Sequence, residues 1–413
     1  MTDVTSLTDR LAAHLLRPVA ANVQTKARHH LLDWMACVAG ARRSDMAAVQ
    51  AAFDEESVAM RAAFLGNVLE MDDVHRGALI HPGPVIWPTV LGDADAGMTA
   101  VLTAAIRGYE AMIAIGATFD ARHYAHFHNT ATAGVFGAAA AVASLFDCDA
   151  RETGNALGLA GSVTGGLWQL RHETSMAKQW HLAHALQTGA SAAFFAAHGV
   201  DGPRFILEGP QGLFAATCDA PRPLVLGPGW RIAEVSFKPW GACRHAHPAI
   251  DAALELRRQG ALAGQVLVET YADALAFCDR PDPQSVTDAK FSLQHAVAVV
   301  IARGVPTLAD FEPDMIAALA PVRARVVVRE DPAITARYPA HFGARVTAGD
   351  AAAELIDTRG DPERPLDEAG LIAKARALFS WGGLSDDQAE HGIALALDGD
   401  DAEAIVAWLD AIL

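Results

Sequence analysis

The first half of the chain has the apolar spacing of amphipathic and buried helices. Between residues 5 and 217, apolar residues recur every three or four positions, in segments separated by Gly, Pro and Asp. Within 27–42, Leu31, Leu32 and Met35 belong to one apolar stripe. The stretches 131–146 and 183–197 contain no Asp, Glu, Lys or Arg, so they are expected to be helices buried on most sides.

The pattern changes after a segment rich in Pro and Gly at 219–230. Three β-branched and partly alternating segments then predict strands, and two helical patterns lie between them. The predicted strands are 265–271, 322–329 and 343–347, and the predicted helices are 249–258 and 293–303. Helical spacing returns after 361–365. We therefore predict a mostly α protein with a large all-helical domain (1–228), a smaller α+β lid domain (229–388) and C-terminal helices (389–413) that return to the helical domain.

Charge and cysteine content limit the classes of function. The 413 residues include 32 basic and 49 acidic side chains, for a formal net charge of −17, which disfavours binding to nucleic acid or to anionic membranes. An anionic substrate therefore requires a local basic pocket. The five cysteines form no Cys-x-x-Cys pair, so neither a zinc ribbon nor a disulfide framework is indicated. The chain begins without the basic and apolar regions of a leader, and a cytoplasmic protein is expected.

The segment around residue 72 combines carboxylates with histidines. Glu70, Asp72 and Asp73 lie close to His75, and His81 follows. Carboxylates and imidazoles in one pocket can provide a base and an acid with separated pKa values. The alternative is a helix end with solvated carboxylates.

The segment 122–134 has three histidines within six residues: His123, His126 and His128. A metal site is one interpretation, but the His-Glu-x-x-His spacing is missing. We favour a single histidine directed into a pocket, with the others on the surface.

Two later segments carry cations next to apolar sequence. Lys178 and His181 are three residues apart, so they share a helical face. The Lys178 ammonium either binds an anion on that face or extends out of the apolar surroundings to reach water, and both interpretations stay open. Pro248 fits the first position of a helix. The residues then expected at that helix N-terminus, where N–H groups attract anions, are Arg244, His245 and His247. A surface capping loop is the alternative.

Taken in order, these segments resemble the MmgE/PrpD family of dehydratases, decarboxylases and epimerases. The matching stretches include Asp72-Asp73-Val74-His75 with His81-Pro82-Gly83, Phe127-His128, Leu157-Gly158-Leu159-Ala160-Gly161, Lys178-Gln179-Trp180-His181, Lys238-Pro239 and Cys243-Arg244-His245-Ala246-His247-Pro248. Two positions depart from the family pattern: Glu70 stands where Asp is frequent, and His295 stands where Tyr is usual. His295 lies on an otherwise apolar helix, where a core histidine is the ordinary interpretation.

The resemblance implies a large helical domain with a smaller α+β lid, and it implies which residues form the pocket. The residues expected to be catalytic are His81, His128, Lys178 and His247. The resemblance also places Glu70 in the pocket, and the segments described above add Asp73, His181, Arg244, His245 and His295, so these six residues are expected to bind substrate. No metal ligands are assigned.

The implied activity is that of a cofactor-independent lyase. Such an enzyme removes a proton next to a carboxylate of a small di- or tricarboxylate and then loses water, with cations and a tuned base around the reacting carbon. An epimerase of the iminodisuccinate type and a decarboxylase of the cis-aconitate type are alternatives. A metalloenzyme using His126, His128 or the segment 243–247, and a non-catalytic binding protein, are rival classes. We expect a small anionic substrate, no cofactor, no nucleic-acid or membrane partner, and a homodimer.

Overall fold

The computed structural model describes residues 5–50, 57–92, 96–173 and 175–413. The prediction about a leader concerns residues that include 1–4, and these lie outside the described ranges, as does Thr174. The helices of the described chain are α1 (Leu7–Leu15), α2 (Ala21–Gly40), α3 (Asp45–Gln50), α4 (Val58–Leu65), α5 (Gly83–Leu91), α6 (Met98–Gly116), α7 (Ala121–His126), α8 (Asn129–Leu145), α9 (Ala150–Ser162), α10 (Ala177–Ala197), α11 (Leu213–Thr217), α12 (His247–Arg258), α13 (Ala272–Cys278), α14 (Val286–Lys290), α15 (Leu293–Arg303), α16 (Pro313–Ala318), α17 (Ala320–Arg323), α18 (Pro332–Thr335), α19 (Glu368–Trp381), α20 (Asp386–Asp398) and α21 (Ala402–Ile412). The strands are β1 (Val266–Thr270), β2 (Val326–Glu330), β3 (Ala344–Ala348) and β4 (Ala351–Leu355).

The chain folds into two compact units. The helical unit consists of Met1–Val68, Asp72–Val235 and Glu368–Leu413, and the α+β unit consists of Leu69–Met71 and Ser236–Asp367. Within the described ranges, all four strands belong to the α+β unit. The prediction of a mostly α protein is confirmed.

Helix α8 forms the centre of the helical unit. It packs against α6, α9 and α10, and Asn129 to Ala143 are buried without interruption. A Cβ atom at Gly137 would lie 2.7 Å from the Cβ of Met112, so glycine is needed for the close approach of α8 to α6. The expected burial of 183–197 is only partly right, because Phe194 and Phe195 on α10 are exposed.

Helix α19 groups with the helical unit, whereas the sequence placed its residues in the segment 229–388. It packs against α2, where Lys374 Nζ lies 2.5 Å from the Asp33 carboxylate. Both side chains are buried, and burial raises the pKa of Asp33 to about 6, an effect that the Lys374 ammonium opposes.

One helix of the described chain, α6, is long and apolar enough to cross a membrane. Of its most apolar 18-residue window, 78% is buried inside the protein. A helix buried to this extent has the surroundings of a core helix.

The sheet of the α+β unit has the order β2-β1-β3-β4. Strands β1 and β2 are parallel, and the other pairs are antiparallel. Helix α12 packs against β3 and β4, and α15 packs against α12 and β2. The predicted strands 265–271 and 343–347 are confirmed, and 322–329 is right only in its second half, because α17 includes its first two residues and β2 begins at Val326. Strand β4 was missed because its Ala-rich sequence has low strand propensity. Its pairing depends on the two-residue turn at Gly349, which adopts a φ of 58°.

Candidate active site

The histidine cluster of the helical unit comprises His81, His128, Lys178 and His181. His128 is the N-cap residue of α8, and its backbone N–H donates to the Gly166 carbonyl at 2.8 Å. Gly166 has a φ of 96°, and a Cβ there would lie 2.3 Å from the Ala131 Cβ. Only glycine fits this position, so the loop after α9 and the start of α8 together fix the His128 backbone.

The His128 ring is held between two other rings. Its Nδ1 lies 3.2 Å from Nδ1 of His181, which projects from α10. The indole of Trp168 stacks on it with ring centroids 4.4 Å apart. The Arg171 guanidinium in turn lies 4.2 Å from the Trp168 ring. Trp168 was not predicted as a site residue, because a single aromatic residue in a loop has no diagnostic spacing.

The electrostatics of the cluster favour a neutral His128. Burial holds the pKa of His128 well below its ordinary value, and the positive charges of Lys178, His181, His81 and Arg171 lower it further. Burial also lowers the pKa of His181, with a smaller effect from His184. A neutral imidazole has one nitrogen with a lone pair, which is the requirement for a general base near pH 7.

His81 is oriented by the first carboxylate of the Asp pair. Its Nδ1 lies 2.8 Å from Asp72 Oδ2, and the same oxygen accepts from the Asn67 amide at 2.6 Å. The His81 backbone N–H donates to Thr130 Oγ1 at 3.1 Å, which connects this loop to α8. The His81 ring and the Asp72 carboxylate are close enough for an ion pair, but no described residue makes a hydrogen bond of good geometry to His81 Nδ1, so Asp72 attracts the ring without fixing its tautomer.

The buried Asp73 carboxylate forms hydrogen bonds inside the helical unit. Its carboxylate accepts from Tyr109 at 2.7 Å and from the Gly83 backbone N–H at 2.9 Å, and His30 Nδ1 lies 2.8 Å away. Burial raises the pKa of Asp73 to about 6, which the Tyr109 and Gly83 hydrogen bonds oppose. These contacts hold the start of α5, directly after His81, so Asp73 supports the cluster from within the core.

In the α+β unit, Lys238 lies beside Glu70. The Lys238 ammonium is fully buried and lies 3.7 Å from Glu70 Oε2. Glu70 has a φ of 57°, a conformation that side-chain-bearing residues rarely adopt and that is often found at functional sites. Lys238 belongs to a stretch that matches the family pattern, but the sequence alone did not mark it as a site residue. Its position before Pro239 and Trp240 in an apolar segment was the available signal, because a lysine is costly in such surroundings.

Arg244 is the second buried cation of this unit. Its Nη2 donates to Asp361 at 2.5 Å, and Ser236 donates to the same carboxylate oxygen at 2.7 Å. The side chain is about nine-tenths buried, and Nη1 has no hydrogen-bond partner among the described residues. A buried N–H without a partner is costly, so this nitrogen is a candidate anion donor. Asp361 was also missed by the sequence.

The predicted helix N-terminus is confirmed. Helix α12 begins at His247 with Pro248 in its first turn, and the preceding residues are buried instead of forming an exposed loop. The His247 Nε2–H donates to the Ala242 carbonyl at 3.0 Å. His245 Nδ1 lies 2.7 Å from the Tyr271 hydroxyl, within a group of stacked aromatic rings.

His295 is fully buried and both of its nitrogens have neighbours. Nε2 donates to the Asp310 carbonyl at 2.9 Å, and Arg323 approaches Nδ1 at 3.4 Å. Burial lowers the pKa of His295. This is the arrangement of a satisfied core histidine, which was the ordinary interpretation of its sequence.

One group of side chains in the described ranges has the geometry of a metal site. Ligand atoms of His341, Asp357 and Glu363 lie within 4.8 Å of one another. His341 Nδ1 is 2.8 Å from the Asp357 carboxylate, so the pair is also explained as a hydrogen bond. These residues lie outside both segments for which the sequence left a metal site open.

Comparison with known proteins gives a consistent result for both halves of the chain. The family model described as the MmgE/PrpD N-terminal domain matches residues 48–224, and the one described as the MmgE/PrpD C-terminal domain matches residues 240–398. A human protein named cis-aconitate decarboxylase is 23% identical over 278 residues, which cover 60% of this chain and 56% of that protein. The chain therefore spans only a little over half the length of this relative. Because the two family models together match most of the sequence, the chain belongs to the MmgE/PrpD family.

Proposed function

We propose that the protein is a cofactor-independent lyase that removes a proton next to a carboxylate of a small di- or tricarboxylate, with loss of water. Family membership supports an enzyme acting on such compounds. The observation that carries the proposal is the environment of His128, a buried imidazole with a lowered pKa and cationic neighbours in a chain of net charge −17.

The chemistry explains why this arrangement is suited to the reaction. Removing a proton next to a carboxylate requires a neutral base, and the electron pair left on the substrate increases its negative charge. Fixed cations stabilise that charge in the transition state. In the histidine cluster, His128 is the base, Lys178 anchors a carboxylate, and His81, oriented by Asp72, is the acid for the leaving hydroxyl.

The α+β unit independently supports an anionic ligand. Among the described residues, none makes a hydrogen bond to Nη1 of the buried Arg244, and Lys238 is buried beside Glu70. His247, at the start of α12, is a second acid–base candidate in this unit. Buried cations such as Arg244 and Lys238 are stabilised when an anion binds next to them.

Decarboxylation is the second candidate. It is favoured by the similarity to a protein named cis-aconitate decarboxylase. The same cations stabilise the electron pair left when carbon dioxide departs, and an acid then protonates the carbon. Our preference for water loss follows the family resemblance, whereas this alternative follows from the relative.

The experiment is to incubate the protein in deuterium oxide with citrate, 2-methylcitrate and cis-aconitate and to follow the products by NMR. Water loss produces an alkene, decarboxylation releases carbon dioxide, and epimerisation places deuterium on an unchanged skeleton. His128→Gln should lower turnover about 100-fold or more. His126→Gln is the matched control, because His126 is exposed two residues away. Turnover of no polycarboxylate, or equal turnover by the two variants, would contradict the proposal.

A further inference from the structure

The two imidazoles of the histidine cluster meet through like atoms. Nδ1 of His128 lies 3.2 Å from Nδ1 of His181. Two nitrogens form a hydrogen bond only when one carries the hydrogen and the other offers a lone pair. A neutral imidazole has a single N–H, so one ring carries its hydrogen on Nδ1 and the other on Nε2. The contact therefore imposes opposite tautomers on His128 and His181.

We propose that His181 is a positioning residue that sets the tautomer of His128 and passes its proton to solvent. This inference rests on the acid–base role proposed for His128. When His128 carries its hydrogen on Nδ1, its Nε2 has a lone pair and acts as a base. When His181 donates from Nδ1, Nε2 of His128 carries the hydrogen and acts as an acid.

The proton transfer balances along this path. The substrate C–H bond breaks, its electron pair stays on the substrate, and the proton bonds to His128 Nε2. The Nδ1 hydrogen of His128 moves to His181 Nδ1, so His128 is again neutral and His181 becomes an imidazolium. His181 then releases its Nε2 proton to water. One proton has moved from carbon to solvent, and the pair has exchanged tautomers.

Burial and charge favour a His128 that stays neutral and a His181 that takes the positive charge. His128 is 2% exposed, whereas His181 is only half-buried. The groups whose charges act on His128 are Lys178, His181, His81 and Arg171, and His184 acts on His181. A positive charge is therefore costly on His128, where burial and the charges of Lys178 and Arg171 oppose it, and less costly on the half-buried His181.

A tautomer measurement tests the inference without a substrate. Protein labelled with ¹⁵N-histidine is examined by long-range ¹H–¹⁵N correlation at pH 8, where neutral rings report which nitrogen carries hydrogen. We expect one ring of the pair to carry it on Nδ1 and the other on Nε2. His181→Phe should change the His128 pattern, and His184→Phe, one turn further along α10, should not. The same tautomer on both rings, or a His128 pattern unchanged by His181→Phe, overturns the proposal.

Kinetics then separate proton transfer from packing. His181→Phe should lower kcat about 10-fold or more with little change in KM, and it should shift the pH profile. His181→Asn keeps an amide that can hold one tautomer but cannot carry the proton, so its kcat should also fall. Added imidazole should partly restore His181→Ala. Wild-type kcat and pH profile in both the Phe and Asn variants would overturn the relay. If the wild-type protein turns over no polycarboxylate, the proposed function fails, and the tautomer spectrum still decides on the pair.

Discussion

Replacing Gly166 by alanine should weaken the fold by about 2–5 kcal/mol. The left-handed backbone at a φ of 96° costs a side-chain-bearing residue about 1–2 kcal/mol. The new Cβ would lie 2.3 Å from the Ala131 Cβ, and overpacking of this kind costs about 1–3 kcal/mol. Because the Gly166 carbonyl accepts from the His128 N–H, any relaxation of the loop also displaces the proposed base.

Gly165→Ala is the matched control. A Cβ at Gly165 meets no atom within 4 Å, and its φ is not positive. Both substitutions restrict the unfolded chain by the same amount, about 0.4–1 kcal/mol, so that contribution cancels in the comparison. Urea unfolding followed by circular dichroism gives the difference in midpoint, which the m-value converts to free energy. Equal midpoints for the two variants would refute the assignment of strain and close packing to Gly166.

Three further outcomes follow from other features. Lys178→Met should remove a charge-assisted contact of about 1.5–3 kcal/mol and raise the Kd of a bound polycarboxylate about 10- to 150-fold in calorimetry, and an unchanged Kd would exclude this anchor. The Asp73 pKa is raised in the folded state from 3.8 to about 6, so the folded protein keeps a proton that the unfolded chain releases. Wild-type stability relative to Asp73→Asn should therefore fall as pH rises from about 4 to 6, and a flat difference would contradict the raised pKa. Trp180, Phe194 and Phe195 on α10 are exposed, and we propose that a second copy of the chain covers them, so light scattering should give twice 43.5 kDa and Phe195→Glu should lower that mass.

The sequence was most informative where local pattern determines structure. The absence of charge in 131–146 predicted the buried helix α8, and Pro248 located the start of α12. Alternation located three strands of the sheet. Strand β4 (Ala351–Leu355) has five residues, of which the first three are alanine. It forms by pairing with β3, and no local sequence pattern encodes that pairing.

The candidate site was only partly predictable, for a related reason. Lys178 was selected because a lysine is costly in apolar sequence, and His128 was selected from a run of three histidines and by the family resemblance; both inferences depend on neighbours along the chain. Trp168 and Asp361 were missed because their roles depend on distant residues, His128 and Arg244. The internal role of Asp73 was not predictable either, because its three hydrogen-bonding partners lie 10 to 43 positions away in the sequence.

The α+β unit takes three residues, Leu69–Met71, from within the sequence of the helical half. Expression of 236–367 alone would therefore separate Lys238 from Glu70 and Lys290 from the Leu69 carbonyl, which it contacts at 3.3 Å. Removing one member of a buried ion pair typically costs about 3–5 kcal/mol. The boundary between the two family models is thus unsuitable for dissection, and swapping either half between relatives should succeed only when the donor segment for 69–71 travels with the α+β unit.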